Sequence, residues 1–130
     1  MGYYIKAIKL APGAIEPRLG IMLPLMALKA WRSVETYAHD VLSMTPDNYA
    51  ALSRLAFVFY TQGKYGKALK LYLHLAKLYP SDVDMKLGVA LTYLKMGNKS
   101  DAARLFREIV LIYPQNIKAN EGLNEALKQR

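Results

Sequence analysis

The chain has 130 residues, of which 53% are apolar and 22% are charged, and its net charge is +8. This length and balance are typical of one core-forming unit or one continuous array. The sequence contains no cysteine, which excludes disulfides and thiol chemistry and leaves the redox compartment open.

Apolar spacing, turn glycines and prolines predict eight helices joined by short loops. In chain order the helices are expected to span residues 3–10, 14–28, 31–44, 48–61, 65–78, 82–95, 99–112 and 116–128.

The second predicted helix holds an apolar run from Leu19 to Leu28 that resembles a membrane or export signal, because Arg18 precedes it. A bilayer span needs about 20 apolar residues, so the run is too short to cross. Cleavage of a signal peptide here would destroy the helix pair that contains it. A buried helix is preferred, with a kink where Pro24 removes the hydrogen bond to the Gly20 carbonyl. The compartment stays unknown, with the cytoplasm slightly favoured.

Proline recurs at one constant interval along the chain, at Pro12, Pro46, Pro80 and Pro114. A shift by this interval superposes Gly63 on Gly97, Ala56 on Ala90, Ala68 on Ala102, Leu71 on Leu105, and Tyr79 on Tyr113. Glycine permits a tight turn, alanine lets two helices approach closely, and proline ends a helix. A strict period of this length indicates stacked repeats.

These residues resemble the tetratricopeptide repeat family, whose unit of about 34 residues is a helix–turn–helix. The segment 49–82 matches best, and its residues in the family's pattern positions are Leu52, Leu55, Ala56, Phe59, Gly63, Tyr65, Ala68, Tyr72 and Pro80. The next segment, 83–116, departs from the pattern at Lys86 and Lys99.

The segment 15–48 is a degenerate unit of the same kind. Met22 and Val34 stand at its two small positions, and Lys29 replaces the turn glycine. We therefore expect its helices to lie further apart.

The resemblance implies an all-α fold, a right-handed α-α superhelix of helix–turn–helix repeats along the whole chain. It divides a single array, 1–130, into a half repeat at 1–14, repeats at 15–48, 49–82 and 83–116, and a capping helix at 117–130.

The first predicted helix looks like the second helix of a repeat whose first helix is missing. It should expose an apolar face, with Tyr4 and Ile8 as candidate self-association residues. We expect the chain to be a piece of a longer array. The alternative is a short protein whose open end pairs with a second copy.

The resemblance places a partner-binding groove on the concave face of the first helices. Carried over to this chain, its residues are Leu19, Leu23, Met26, Ser53, Phe57, Tyr60, Leu87, Leu91 and Leu94. Each first helix is apolar on the face opposite its core stripe, which predicts that both faces are covered. The groove would take an apolar or amphipathic peptide or helix, or another copy of the chain. Alternatively, superhelical twist buries these side chains against neighbouring helices.

The family's carboxylate clamp uses Lys and Asn at positions where this chain has leucine, serine and phenylalanine, so the clamp is absent. Bacterial secretion chaperones that hold an amphipathic helix in an apolar repeat groove are a nearer analogy.

A basic stripe is predicted on one face of the fifth helix, where Lys67, Lys70, His74 and Lys77 follow helical spacing and Lys64 stands at the start. A solvated face is the simplest interpretation. The alternatives are an acidic protein, a membrane surface or nucleic acid. Nucleic acid is the least favoured, because the basic residues do not interleave with exposed stacking aromatics.

The sequence offers no constellation for catalysis. His39 and His74 are solitary, and Glu121 and Glu125 lie on a polar helix where a solvated face is expected. We predict a non-catalytic protein-interaction module, an adaptor or chaperone-like scaffold, that needs no cofactor or metal. The alternative is a self-associating structural scaffold that uses the first helix and the groove.

Overall fold

A computed structural model describes residues 1–128, and in this part of the chain it contains eight α-helices and no strand. They are α1 (Gly2–Leu10), α2 (Glu16–Ala27), α3 (Trp31–Met44), α4 (Tyr49–Thr61), α5 (Tyr65–Leu78), α6 (Val83–Lys95), α7 (Lys99–Ile112) and α8 (Ile117–Leu127). The predicted all-α helical repeat fold is confirmed, and no helix end differs from its predicted position by more than two residues. The last two positions of the predicted capping helix, 129–130, lie outside the described residues.

The helix boundaries repeat with the period of the prolines. Helices α3, α5 and α7 have the same length, and each begins one proline interval after the previous one. Helices α4, α6 and α8 also begin one proline interval apart. The turns follow the same interval, since Gly63 has φ 76°, Gly97 has φ 82°, and Lys29, in the degenerate unit, has φ 58°. Lys29 therefore makes the left-handed turn that glycine makes in the later units, at a strain of about 1 kcal/mol.

The chain divides into two compact units, Met1–Val58 and Phe59–Arg130, with the boundary inside α4. In the first unit, α1 packs on α2 and α2 on α3. The apolar stripes of α2 and α3 supply the buried side chains Ile21, Met22, Leu25, Val34, Ala38 and Val41, and the part of α4 in this unit supplies Ala51, Leu52, Leu55, Ala56 and Val58.

In the second unit α5 packs on α6, α6 on α7, and α7 on α8. One buried cluster joins the last three helices, and its members include Ala90, Ala102, Phe106, Ile109 and Ala119. Side-chain caps begin these helices: Asp82 accepts from two N–H groups of α6, and Asn98 and Asn116 each accept from one N–H of α7 and α8. Each cap of this type stabilises a helix by about 1 kcal/mol.

Within residues 1–128, an aromatic ring lies against a helical glycine at three places. Tyr4 of α1 lies on Gly20 of α2, Tyr72 of α5 on Gly88 of α6, and Phe106 of α7 on Gly122 of α8. A Cβ atom at Gly88 would lie 2.6 Å from the Tyr72 ring, so only glycine allows the contact. Successive pairs are separated by the proline interval or by twice that interval, and each joins the second helix of one repeat to the first helix of the next.

Candidate partner-binding site

The predicted groove residues divide between the two units. Leu19, Leu23, Met26, Ser53 and Phe57 belong to the first unit, and Tyr60, Leu87, Leu91 and Leu94 belong to the second. Their environments differ between the units.

In the first unit, Leu19, Leu23 and Met26 share one face of α2, because they are spaced four and three residues apart. Leu23 is 56% exposed, while Leu19 and Met26 are half-buried. The core of the unit takes a different stripe of α2, so Leu23 is available to a partner.

Phe57 of α4 is 41% exposed, and it contacts Trp31 of α3. Their ring centroids lie 6.0 Å apart at an interplanar angle of 71°, which is the favourable edge-to-face arrangement. Trp31, the only tryptophan in the chain, was not among the predicted site residues. Its rarity was the only sequence signal that could have identified it, because its contact with Phe57 is not local.

Arg54, also absent from the predicted site, joins α4 to α2. Its Nη1 donates a hydrogen bond of 2.6 Å to the carbonyl oxygen of Leu19. The adjacent Gly20 carbonyl lacks its usual helical donor, because Pro24 has no N–H. Burial lowers the pKa of the Arg54 guanidinium from its ordinary value. This bond places Leu19 of α2 beside the turn of α4 that carries Ser53.

In the second unit, the groove leucines contribute mainly to the core. Leu87 is 7% exposed and belongs to the buried cluster of α6, α7 and α8, and Leu91 and Leu94 pack against that cluster. Tyr60 is half-buried, with its ring centroid 5.7 Å from that of Tyr65. Burial, followed by the neighbouring Tyr65, raises the pKa of the Tyr60 hydroxyl. Leu87 therefore offers almost no surface to a partner.

The two candidate self-association residues are only half-buried, although Tyr4 is already in contact with Gly20 of the same chain. No residue of α1 is fully buried. The large apolar side chains that α1 exposes most are Tyr3 at 79% and Leu10 at 80%.

Two of the polar groups that sequence analysis considered for catalysis lie in ordinary surface pairs. His39 Nε2 lies 3.7 Å from Glu35, and Glu125 lies 3.0 Å from Lys128 Nζ. Within residues 1–128 no group of three or more metal-ligating side chains converges. Over the same residues, no helix is long and apolar enough to cross a bilayer.

A small pocket of about 240 Å³ lies in the second unit between the α5–α6 turn and α7. An ion pair lies on its wall, with Lys86 Nζ 3.8 Å from Glu108. Its volume is below the range of about 300–1,000 Å³ that is usual for sites of drug-sized ligands. A second hollow, of about 480 Å³, is lined by five consecutive residues of the α7–α8 turn, Ile112 to Asn116.

A family model described as tetratricopeptide repeat matches residues 27–83 and 55–117. The chain belongs to the tetratricopeptide repeat family. The fold of this family is a scaffold for protein–protein interaction, and its members are generally non-catalytic interaction modules. The predicted family is thereby confirmed.

A curated relative is the protein CTR9 homolog of Arabidopsis thaliana, which is 30% identical over 80 residues. The match covers 61% of this chain and 7% of that protein, so the chain spans only a small part of its relative.

Solved structures share the fold at low identity. MamA 41-end from Desulfovibrio magneticus RS-1 superposes with a TM-score of 0.87 at 21% identity, over 95% of this chain and 70% of that one. YrrB, described as a tetratricopeptide repeat protein with an unusual peptide-binding site, superposes with a TM-score of 0.80 at 14% identity, over 95% of this chain and 64% of that one. At these identities the likeness concerns the fold alone.

Proposed function

We propose that this chain is a non-catalytic interaction module whose first unit binds an apolar or amphipathic segment of a partner protein. The binding residues are Leu23, Phe57 and Trp31. The observation that carries the proposal is the edge-to-face pair of Trp31 and Phe57, in which Phe57 stays 41% exposed. Aromatic anchors of this kind dominate the energy of many protein interfaces.

The location of this surface on helices supports the proposal. Leu23 is 56% exposed on a helix whose buried stripe is already complete, so its exposure is not required by the core. Arg54 holds α2 and α4 together through the Leu19 carbonyl, so the surface is organised before a partner arrives. A preorganised surface loses less conformational entropy on binding. Met26, half-buried on the same face of α2, adds an adaptable contact.

The family supports an interaction role in general terms, and YrrB is an example of the fold whose description includes a peptide-binding site. Binding of an apolar segment by this chain, and its use of the Trp31–Phe57 pair, are our proposal. The hydroxyl of Ser53, half-buried on α4, donates to the Ala50 carbonyl oxygen at 3.2 Å, so it would orient the partner's backbone by accepting from an N–H.

The test is a titration followed by amide NMR shifts, with a neutral amphipathic helical peptide of leucine and glutamine of about 18 residues, or five turns. We expect shifts around Leu23, Trp31 and Phe57. The double variant Leu23→Gln/Phe57→Gln should weaken binding by about tenfold or more, because each anchor side chain is worth more than about 1 kcal/mol.

The control is Leu73→Gln/Leu111→Gln, which removes two exposed leucines of α5 and α7 in the second unit. Binding by this variant should stay within about twofold of that of the unaltered chain, since surface changes away from a site have small effects. Equal weakening in both double variants, or no binding by the unaltered chain, would contradict the proposal.

A second candidate function is self-association through α1. It is favoured by the exposure of Tyr3 and Leu10 at about four-fifths of their surface on one short helix. The variant Tyr3→Glu/Leu10→Glu tests it better than a change at Tyr4, because Tyr4 packs on Gly20. We expect a mass that rises with concentration in light scattering, and loss of that rise in this variant but not in Leu73→Glu/Leu78→Glu. A constant monomer mass would eliminate this candidate.

A further inference from the structure

Helix α5 carries a cationic surface, here called the lysine stripe, made of Lys64, Lys67, Lys70 and Lys77. All four side chains are exposed. The last three lie on one face of the helix, and Lys64 is its N-cap residue. From the first lysine to the last, the stripe is about 20 Å long. The helix itself contains no aspartate or glutamate.

The corresponding face of α7, one repeat later, is neutralised within the chain. There Arg104 lies 3.4 Å from Asp101 and 3.6 Å from Glu108, and Glu108 also lies 3.8 Å from Lys86. In contrast, none of the four stripe lysines forms an ion pair with a carboxylate of the described residues.

The same face of α3 provides a second comparison. Its residues in register with Lys67, Lys70, His74 and Lys77 are Ser33, Thr36, Asp40 and Ser43, and Asp40 lies 3.7 Å from Arg18. Three helices of equal length thus carry three different charge patterns at one position of the repeat. The fold therefore does not require the lysines of α5.

The stripe also opposes helix formation at its beginning. Positive charge near a helix N-terminus is unfavourable, because the unpaired N–H groups there already carry partial positive charge. Helices α6 and α7 begin with Asp84 and Asp101 in their first turns, whereas α5 has no acidic residue there and has Lys64 and Lys67 at its start. These two ammonium groups lie over the ring of Phe59, at 5.9 and 5.4 Å from its centroid.

We propose that the lysine stripe binds an acidic segment of a partner protein that runs along α5. This goes beyond the proposed function, because it uses other residues and another kind of contact. Four unneutralised lysines along about 20 Å match about six residues of an extended chain. Carboxylates supply the charge that the stripe lacks and that Asp101 and Glu108 supply on α7.

A protein fits this surface better than nucleic acid does. The stripe is one helix wide, and residues 64–77 expose no tyrosine, phenylalanine or tryptophan for bases to stack on; the exposed ring among the lysines is the small imidazole of His74. Tyr72 is buried, and Tyr65 is half-buried against Tyr60. Recognition of single-stranded nucleic acid combines basic grooves with stacking aromatics.

The test uses a peptide of about six glutamates, the length that spans the stripe, with a glutamine peptide of equal length as the uncharged probe. Amide NMR shifts on titration should concentrate in residues 64–77. The variant Lys70→Gln/Lys77→Gln should weaken binding by about fivefold at low salt, since exposed ion pairs are individually modest. Lys64 and Lys67 are left unchanged because they contact the Phe59 ring.

The matched control is Lys6→Gln/Lys9→Gln on α1, which changes the net charge by the same amount at two exposed lysines. It should retain the affinity of the unaltered chain. Equal weakening in both variants would show attraction by net charge only and would overturn the proposal. So would the absence of glutamate binding, or stripe-dependent binding confined to anionic vesicles or oligonucleotides. Leu23→Gln/Phe57→Gln should still bind glutamate, so failure of the apolar site and failure of the stripe are distinguishable.

Discussion

Helices α3 and α4 of the first unit fill one position of the repeat differently from the helices of the second unit. In the second unit, large rings on the second helices, Tyr72 and Phe106, lie on glycines of the following first helices, Gly88 and Gly122. The first unit repeats this arrangement where Tyr4 lies on Gly20, but in α3 and α4 the residues in register are Ala38, which is fully buried, and Arg54. At this position the large side chain therefore belongs to the second helix of the pair in α5 and α7, but to the first helix, α4, in the case of Arg54.

This exchange has a structural consequence in α2. Arg54 donates to the Leu19 carbonyl, one residue before the carbonyl that Pro24 leaves without its helical donor. A glycine at this position could not make that bond. The difference teaches that a degenerate repeat can keep the repeat period and still carry a hydrogen-bonding side chain at a position where other repeats have glycine. Arg54 thereby positions the helices that carry Leu23 and Phe57.

The largest expected effect comes from converting the two positions in α3 and α4 to the arrangement of the second unit. Ala38→Tyr alone should cost about 3 kcal/mol by overpacking, and Arg54→Gly alone about 3 kcal/mol by loss of a charged hydrogen bond and of helix propensity. The double variant should cost about 2 kcal/mol less than the sum. Urea unfolding of the four proteins measures this coupling.

The control for this double-mutant cycle uses Arg107→Gly in place of Arg54→Gly. Arg107 is an exposed arginine of α7 in the second unit. Its effect should add to that of Ala38→Tyr. If the Ala38→Tyr/Arg54→Gly pair is also additive, the two arrangements are not interchangeable.

The next effect concerns the ring at the corresponding position of α5. Burial, with a smaller contribution from Tyr60, raises the pKa of Tyr72 from 10.0 to about 12. A group whose pKa is higher in the folded chain than in the unfolded chain stabilises the fold. This stabilisation is fully present at a pH below the pKa of the unfolded chain, and it is lost as pH rises through the pKa of the folded chain. Stability should therefore fall by about 2–3 kcal/mol as pH rises from about 10 to 12.

Urea unfolding across this pH range measures the fall, and Tyr72→Phe should remove the part due to this hydroxyl. Tyr113→Phe, at a tyrosine that is 48% exposed, should leave the fall unchanged. Equal pH dependence in the unaltered chain and in Tyr72→Phe would contradict the expectation.

The smallest effect tests the glycines themselves. Gly122→Ala should destabilise the chain by about 1–2 kcal/mol, because its Cβ would meet the Phe106 ring, which is fully buried and cannot move aside. Gly66→Ala in α5 meets no atom within 4 Å and should stabilise the chain by about 0.5–1 kcal/mol. Thermal unfolding of both variants shows whether each substitution raises or lowers the stability of the chain. Stabilisation by Gly122→Ala would contradict close packing at this site.

Much of the fold was predictable because its signals are local. Proline cannot continue a helix, and glycine makes the left-handed turn without strain, so the positions of Pro46, Pro80, Gly63 and Gly97 determined where helices end. The degenerate turn at Lys29 was predictable by register alone, and its φ of 58° confirms that the turn persists without glycine.

The candidate site was predictable only in part. Leu23 and Phe57 have the exposure that a partner-binding residue needs, but Leu87, chosen by the same rule, is buried in the core. Tyr4 contacts Gly20, although its helix exposes other apolar side chains. Trp31 and Arg54 were missed, because each acts through a contact with another helix that no local spacing reveals.

The sequence by itself determined the family, the helix boundaries and the charge of α5, since these depend on the backbone chemistry of proline and glycine, on a strict repeat period and on composition. Only the tertiary structure decided which apolar side chains are covered, and which lysines have a carboxylate within reach. A helix face has the same sequence pattern whether a neighbouring helix or solvent covers it. Burial and ion pairing are properties of the packed helices, and they distinguish Leu23 from Leu87 and α5 from α7.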